Sequence, residues 1–226
     1  MSLTAVPELN VIDFYFFMTV FNSTKRNMFH YLTKVTFRRV PIFKSEKICQ
    51  FFTDALRETK ENHLFKLVGY VIMPDHIHLI LNPIECDISL FGKALKGKSA
   101  RKIIDWLKLN DFQTSLKKLA LPKTQKRNHS FAVWQKKITS IDLESDKFIR
   151  QKLNYIHLNP IRAKICEHPA KWKWPSYHAY LPHKPGEVPI EIDLQGYWKD
   201  EEFERYEAER ENKKMVLSEN KIKNAP

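Results

Sequence analysis

Apolar and polar positions follow two rhythms along this chain, an alternation of period two and a repeat of roughly 3.6 residues. Phe29 to Phe37 (FHYLTKVTF) is rich in aromatic and β-branched residues and predicts a strand. After Ser45, a cap-type residue, Ile48, Phe51, Phe52, Ala55 and Leu56 recur at helical spacing, which predicts a helix reaching Asn62. Two apolar β-type runs follow, Phe65 to Met73 and Ile77 to Leu81. The turn-forming pair Pro74-Asp75 separates them, so they read as a hairpin, although its turn lacks glycine. Ser89 to Leu107 reads as a basic amphipathic helix, with Leu90, Ala94, Leu95, Ile103, Ile104 and Leu107 as its apolar positions. A polar, basic connection then leads to Phe131 to Ile141, a further strand. Asp146 to Asn159 predicts a helix that Pro160 ends or kinks. Beyond Pro185 strand patterns cease, Asp200 to Lys214 reads as a charged helical appendage, and the last residues are expected to fray. No internal repeat is evident. Strands thus alternate with helices along the chain.

Composition narrows the chemistry. The 226 residues suffice for one sizeable domain or two small ones. They hold 38 Lys and Arg against 26 Asp and Glu, a formal charge of +12, which points to a polyanionic partner. The five glycines (Gly69, Gly92, Gly97, Gly186, Gly196) fit neither a dinucleotide-binding loop nor a phosphate loop. Cys49, Cys86 and Cys166 lie far apart and make neither a disulfide framework nor a C-x-x-C zinc site, so a reducing, cytoplasmic setting is expected. The apolar stretch Val11 to Phe21 is interrupted by Asp13 and is about half the ~20 residues a membrane span needs. It also lacks the flanks of a secretory signal. With a membrane set aside, the expected polyanion is DNA or RNA.

The charge is unevenly spread. Residues 66–160 carry a net +9 and residues 161–186 a net +4, whereas residues 187–226 carry −4. Residues 93–137 alone hold 13 basic side chains against Asp105 and Asp111. A charge run is often only a solvated face. The excess here, with Trp106, Phe112, Phe131 and Trp134 nearby, favours a nucleic-acid footprint.

Two segments carry candidate chemistry. In Tyr70 to Leu81 (YVIMPDHIHLIL), His76 and His78 project from one strand face with Cα atoms about 7 Å apart. Such a pair is half of a metal site, or a pair of structural histidines at a sheet edge. In Lys152 to Ile165 (KLNYIHLNPIRAKI), Tyr155 and Asn159 are four apart and share a helix face. Tyrosine is a competent nucleophile that needs activation, given an ordinary pKa of about 10. The asparagine amide is a hard ligand. The plainer readings are a core tyrosine and a helix C-terminal asparagine before proline. His157, about 200° around the helix from Tyr155, is expected to face elsewhere.

The Pro-Asp-His-Ile-His-Leu strand, followed by a helix reading Tyr-Ile-His-Leu-Asn-Pro-Ile-Arg-Ala, resembles the HUH single-tyrosine transposases, and among them the REP-associated tyrosine transposases. The likeness runs from about Phe29 to Tyr180 and takes in Trp134-Gln135 and the Trp172 to Tyr180 segment. It implies a single-tyrosine transposase domain over residues 29–182, an N-terminal extension over 1–28 and an acidic, partly helical tail over 183–226. It also implies a compact α+β fold, a ferredoxin-like antiparallel sheet flanked by helices. His76, His78 and Asn159 would be metal ligands and Tyr155 the nucleophile. Mg²⁺ or Mn²⁺ would be the cofactor. The partner would be single-stranded or hairpin DNA, cut through a 5′-phosphotyrosine and rejoined by reversal, with a homodimer among the assemblies. No general base for Tyr155 is evident, although Gln151 and Lys152 precede it. Basic residues chosen as DNA contacts are Lys93, Lys96, Lys98, Arg101 and Lys102, then Lys136, Lys137, Arg150 and Arg162. The tryptophan-rich segment could stack on bases, but such clusters more often close a small core. Lys164 departs from the family pattern, in which glycine often follows Arg-Ala. The rivals are a non-catalytic nucleic-acid binder derived from a transposase, and a metal-dependent hydrolase with a water nucleophile.

Overall fold

The computed structural model describes residues 28–62, 65–83, 88–125, 129–180, 190, 192, 193 and 208. The expected N-terminal extension and acidic tail, including the helix over Asp200 to Lys214, lie almost wholly outside that set. Strands β1 (Phe29–Val35), β2 (Phe65–Met73), β3 (His76–Pro83) and β4 (Thr139–Leu143) form one four-stranded sheet in the order β2-β3-β1-β4. Every neighbouring pair is antiparallel. Helix α1 (Glu46–Asn62) connects β1 to β2, α2 (Ile88–Leu109) and α3 (Gln113–Leu119) follow β3, and α4 (Asp146–Arg162) follows β4. β3 is thus inserted between β1 and β2, the split βαβ of a ferredoxin-like α+β fold. Among the described residues no helix is long and apolar enough to cross a membrane.

Strand alternation sorts the core into two faces. Leu32, Ile77, Leu79 and Leu81 pack with Phe52 and Leu56 of α1 and Phe91, Leu95 and Ile103 of α2. Tyr31, Val71 and Ile80 pack with Ile149, Leu153 and Ile156 of α4. Each fully buried Leu or Ile contributes roughly 1.5–3 kcal/mol, so both helical layers are bound firmly to the sheet. An irregularity between Leu67 and Gly69 shifts the β2–β3 register by one residue and re-phases the strand. Gly69 then lies under α4, where a Cβ would meet Leu153 Cδ1 at 2.5 Å and Ile156 Cδ1 at 3.0 Å. Gly69→Ala is therefore expected to destabilise the fold by about 1–3 kcal/mol through overpacking beneath α4, measurable by urea denaturation; wild-type stability would contradict this contact.

Three expectations change. The strand expected over Phe131 to Ile141 begins only at Thr139, which pairs with Thr33. Upstream, Phe131 and Trp134 make only isolated bridges, to Ala120 and Thr36. The Trp134 ring holds that segment on the α2 layer, packing beside Phe43 and Phe52 with its Nε1 donating to Ser99 Oγ at 3.0 Å. The polar connection before it contains α3, whose short apolar set (Leu116, Leu119) sits in a run of lysines. Finally, α4 continues through Pro160 to Arg162. A proline this close to a C-terminus costs little beyond one backbone hydrogen bond. The end is closed by Lys164 N–H to Ile161 O (2.8 Å) and Ile165 N–H to Pro160 O (2.9 Å). That pattern is a Schellman motif.

Its left-handed residue is Lys164, at φ 57°, the position where the family pattern favours glycine. Lys164→Gly is expected to raise stability by about 0.5–1 kcal/mol, because glycine carries no Cβ penalty in that region. A urea midpoint unchanged or lower than that of the parent chain would refute it.

Candidate active site

The site forms at the end of the sheet where β1 finishes and β3 begins, on the face covered by α4. His76 and His78 project from β3 toward that face, with ring centroids 4.8 Å apart. α4 brings Tyr155 to them, its ring centroid 5.7 Å from that of His78 in an edge-on arrangement. Asn159 lies one turn further along α4 and is buried. His157 packs away from the site, against Tyr177 and Tyr180, with its Nε2 at 2.9 Å from Ser176 Oγ. Burial pulls the His157 pKa down to about 3, so it is a neutral core residue.

Both site histidines are held through Nδ1. His78 Nδ1 lies 2.7 Å from Tyr31 Oη and 2.8 Å from Thr33 Oγ1, two hydroxyls from β1. Its Nε2 is buried without a hydrogen-bond partner. Burial, then the charges of His76 and Lys152, hold its pKa well below the ordinary histidine value, so the ring is neutral. His76 Nδ1 donates to Asp75 Oδ1 at 2.6 Å, while Arg39 Nη1 donates to Asp75 Oδ2 at 2.9 Å. Partial burial pushes the Asp75 carboxyl up, but its bonds from His76 and Arg39 outweigh that and leave it below its usual value. A carboxylate on Nδ1 is a common way of aiming the opposite nitrogen of a metal-binding imidazole.

These observations fit a divalent ion. Both imidazoles have Nδ1 engaged, and the orphaned buried nitrogen of His78 otherwise costs about 1–3 kcal/mol. Among the described residues no group of three His, Cys, Asp or Glu side chains is placed to hold a metal ion by itself. The donors placed together here are the two imidazoles, with Asn159 one helical turn beyond Tyr155.

Lys152, Tyr155, Asn159 and Arg162 recur along α4 at spacings of three, four and three, one stripe on a helix. The Arg162 guanidinium stands 5.2 Å over the Tyr155 ring. The Lys152 ammonium stands 5.1 Å from the Tyr31 ring centre.

The expected DNA contacts separate by position. Lys93, Lys96, Arg101 and Lys136 line a groove of about 1310 Å³ between α2 and the 129–136 segment, together with Arg38 and Lys108. Lys98 and Lys102 instead turn to α1, where Lys98 donates to the Glu58 carbonyl at 3.2 Å and Lys102 pairs with the Glu58 carboxylate at 2.7 Å. Lys137 and Arg150 are exposed. The backbone beside Lys136 and Lys137 is pinned from below, since the buried Lys34 ammonium donates to the carbonyls of Gln135 and Lys137. The tryptophan-rich segment closes the β2 edge. Trp172 Nε1 donates to Ile72 O at 3.0 Å, the Trp174 carbonyl accepts from Ile72 N–H at 3.1 Å, and Ser176 Oγ accepts from Tyr70 N–H at 2.9 Å. Its rings serve the core, the commoner of the two readings.

Sequence reasoning missed Tyr31, Thr33, Arg39 and the second role of Asp75. Odd-numbered polar residues in FHYLTKV were the available signal for the first two, but only the pairing of Thr33 with His78 gives it meaning. Arg38 and Arg39 both adopt left-handed backbone, at φ 52° and 54°. That conformation sends one side chain to the groove and the other to Asp75.

Comparison with known proteins bears on the family and the fold. A family model described as "Transposase IS200 like" matches residues 23–157, more than half of the chain. A Haemophilus influenzae protein described as a REP-associated tyrosine transposase is 28% identical over 129 residues, covering 56% of this chain and 67% of that protein. A solved structure of a REP-associated tyrosine transposase bound to a REP hairpin superposes with a TM-score of 0.54 at 15% identity, covering 79% of this chain and 94% of the other.

Proposed function

The chain belongs to the IS200-like transposase family, and from that premise we propose a metal-dependent, single-stranded DNA endonuclease and strand transferase. It works through a 5′-phosphotyrosine on Tyr155 and acts on hairpin-forming DNA. The observation that supports this most is the meeting of Tyr155 with His78, ring centroids 5.7 Å apart, beside an Nε2 that is buried and unpartnered.

In this reading His76, His78 and Asn159 hold the ion. Bound there, Mg²⁺ or Mn²⁺ would polarise the scissile phosphate and offset charge on the leaving oxygen. Imidazole donors favour Mn²⁺ over Mg²⁺, which prefers oxygen. Asp75 and the Tyr31 and Thr33 hydroxyls fix the two rings and their tautomers. Tyr155 Oη attacks phosphorus, the bond to the 3′ oxygen breaks, and the electron pair leaves with that oxygen. The phenolic proton goes to solvent and the 3′ oxygen takes one up. The phosphotyrosine keeps the energy of the diester, so rejoining needs no nucleotide cofactor.

The groove supports the partner. Lys93, Lys96, Arg101, Lys136, Arg38 and Lys108 give it a positive lining, with Phe131 and Trp134 in its wall. Such a lining tracks a phosphate backbone without reading bases. The solved relative is described as bound to a REP hairpin, and a hairpin is the partner class assigned here.

The test uses the full-length chain and a pool of single-stranded oligonucleotides, each a short hairpin with randomised flanks, in Mn²⁺. The expected product is a protein–DNA adduct that survives a denaturing gel and disappears with EDTA. Cleavage without adduct would overturn the tyrosine mechanism in favour of a hydrolase using water. Salt-sensitive binding with no cleavage in either metal would leave a binding module.

A further inference from the structure

Gln135 belongs to the Trp134-Gln135 pair of the family likeness, and the reaction above gives it no task. It lines the basic groove, and among the described residues that do so it is the only side-chain amide. The lysines and arginines around it hold phosphates without distinguishing bases. The Gln135 side chain is half-buried and makes no hydrogen bond among the described residues. Its main chain, by contrast, is fixed on two sides. The N–H donates to Val35 O at 3.0 Å, and the carbonyl accepts from the buried Lys34 ammonium, which also reaches Lys137 O at 2.7 Å. The preceding residue is anchored as well, its ring packed beside Phe43 and Phe52 and its Nε1 donating to Ser99 Oγ.

An open amide on a rigid mount in the wall of a nucleic-acid groove is suited to reading a base. It carries an acceptor and a donor side by side in one plane. In the major groove of a stem, adenine alone shows the complementary pair, a 6-amino donor beside the N7 acceptor. Guanine shows two acceptors there, and cytosine and thymine one hydrogen-bonding group each. A lysine, a point charge on a flexible chain, makes no such distinction.

We propose that Gln135 is a specificity-determining residue, its amide oxygen accepting from the 6-amino group and its amide nitrogen donating to N7 of one adenine in a hairpin stem bound along the groove. The proposal rests on the groove being the DNA site, as in the reading above. It adds a base requirement to a lining that otherwise holds only the backbone.

The test uses the full-length chain without divalent ion, so that no strand is cut. A pool of hairpin oligonucleotides with randomised stem pairs and flanks is bound, and the retained fraction is sequenced. The parent chain is expected to enrich adenine at one stem position. In Gln135→Met, which keeps the length of the side chain and removes both bonding groups, the enrichment should vanish at that position alone. On the selected hairpin, exchanging that A·T pair for G·C should weaken parental binding by about 5- to 150-fold. Replacing the adenine with 7-deazaadenine, which removes only the N7 acceptor, should weaken it by about 5-fold. The methionine variant should bind all three hairpins within about twofold of one another. Gln135→Ala repeats the comparison should methionine disturb the groove wall. A parent chain with no adenine preference in the stem, or a methionine variant that keeps the preference, would overturn the proposal. The double variant Lys93→Ala, Lys96→Ala tests the premise separately, since it should weaken every hairpin alike, by about 10-fold, and flatten the salt dependence. Parental affinity in that double variant would remove the DNA from the groove, and the role of Gln135 with it.

Discussion

Tyr155→Phe is expected to lose the covalent adduct completely while keeping the fold and the DNA affinity. The phenyl ring preserves the edge-on contacts with His78 and Tyr31 and the position beneath Arg162. Only the hydroxyl is removed, so stability should change by less than about 1 kcal/mol. Among the described residues the hydroxyls nearest to His78, those of Tyr31 and Thr33, are committed to its Nδ1. Adduct formation should therefore fall by at least ~10³-fold, to the limit of detection on a denaturing gel. Binding of the same oligonucleotide, followed by anisotropy without divalent ion, should be unchanged within about twofold, because groove cations rather than the nucleophile supply most of the affinity. An adduct of parental strength in Tyr155→Phe would move the nucleophile elsewhere and dismantle the mechanism.

The second large effect is expected at His78. Replacing it with alanine removes a proposed ligand and the nitrogen shared by the Tyr31 and Thr33 hydroxyls. Mn²⁺ affinity, read by electron paramagnetic resonance on DNA-free protein, should fall by more than about 100-fold. Stability should fall by about 1–3 kcal/mol for the lost hydrogen bonds and the lost packing of the ring. Asp75→Asn separates these two consequences. It leaves both imidazoles in place and weakens only the group that aims His76, so a loss of about 10–100-fold in Mn²⁺ affinity is expected. Some loss of stability at the Arg39 contact accompanies it, small because that arginine is largely exposed. Parental Mn²⁺ affinity in His78→Ala would remove the β3 histidines from the metal site.

Much of this architecture is legible in the pattern of residues. The β2–β3 hairpin was foreseen nearly to its ends, because two dense apolar runs flank a proline-containing pair that must turn. Helices α1 and α2 carry long periodic stripes, and both appear within a residue or two of the expected bounds. The weaker signals failed where tertiary contacts outweigh local preference. Phe131 to Ile138 looks like a strand, but the Trp134 ring is claimed by Phe43, Phe52 and Ser99, so pairing with β1 waits until Thr139. Pro160 looks like a terminator, but Lys164 supplies a Schellman end several residues later.

The candidate site divides in the same way. That His76 and His78 share a face follows from strand geometry alone, and that Tyr155 and Asn159 share a face follows from the helical repeat. Strand periodicity and helix periodicity are local, so residue order suffices to determine them. Whether the two faces meet is a different matter, since nothing local relates β3 to α4. It depends on β3 being inserted beside β1 and on Ile149, Leu153 and Ile156 seating α4 on that side of the sheet. The same packing pairs Thr33 with His78, turns Asp75 from a turn residue into the partner of His76, and carries Lys152 to the Tyr31 ring. It also splits one basic helix into Lys93 and Lys96 on the groove and Lys98 and Lys102 against Glu58. Charge and periodicity along the chain thus supplied the reactive groups and their local faces. Their convergence came from burial of apolar surface between elements distant in sequence, a long-range condition that no single segment encodes.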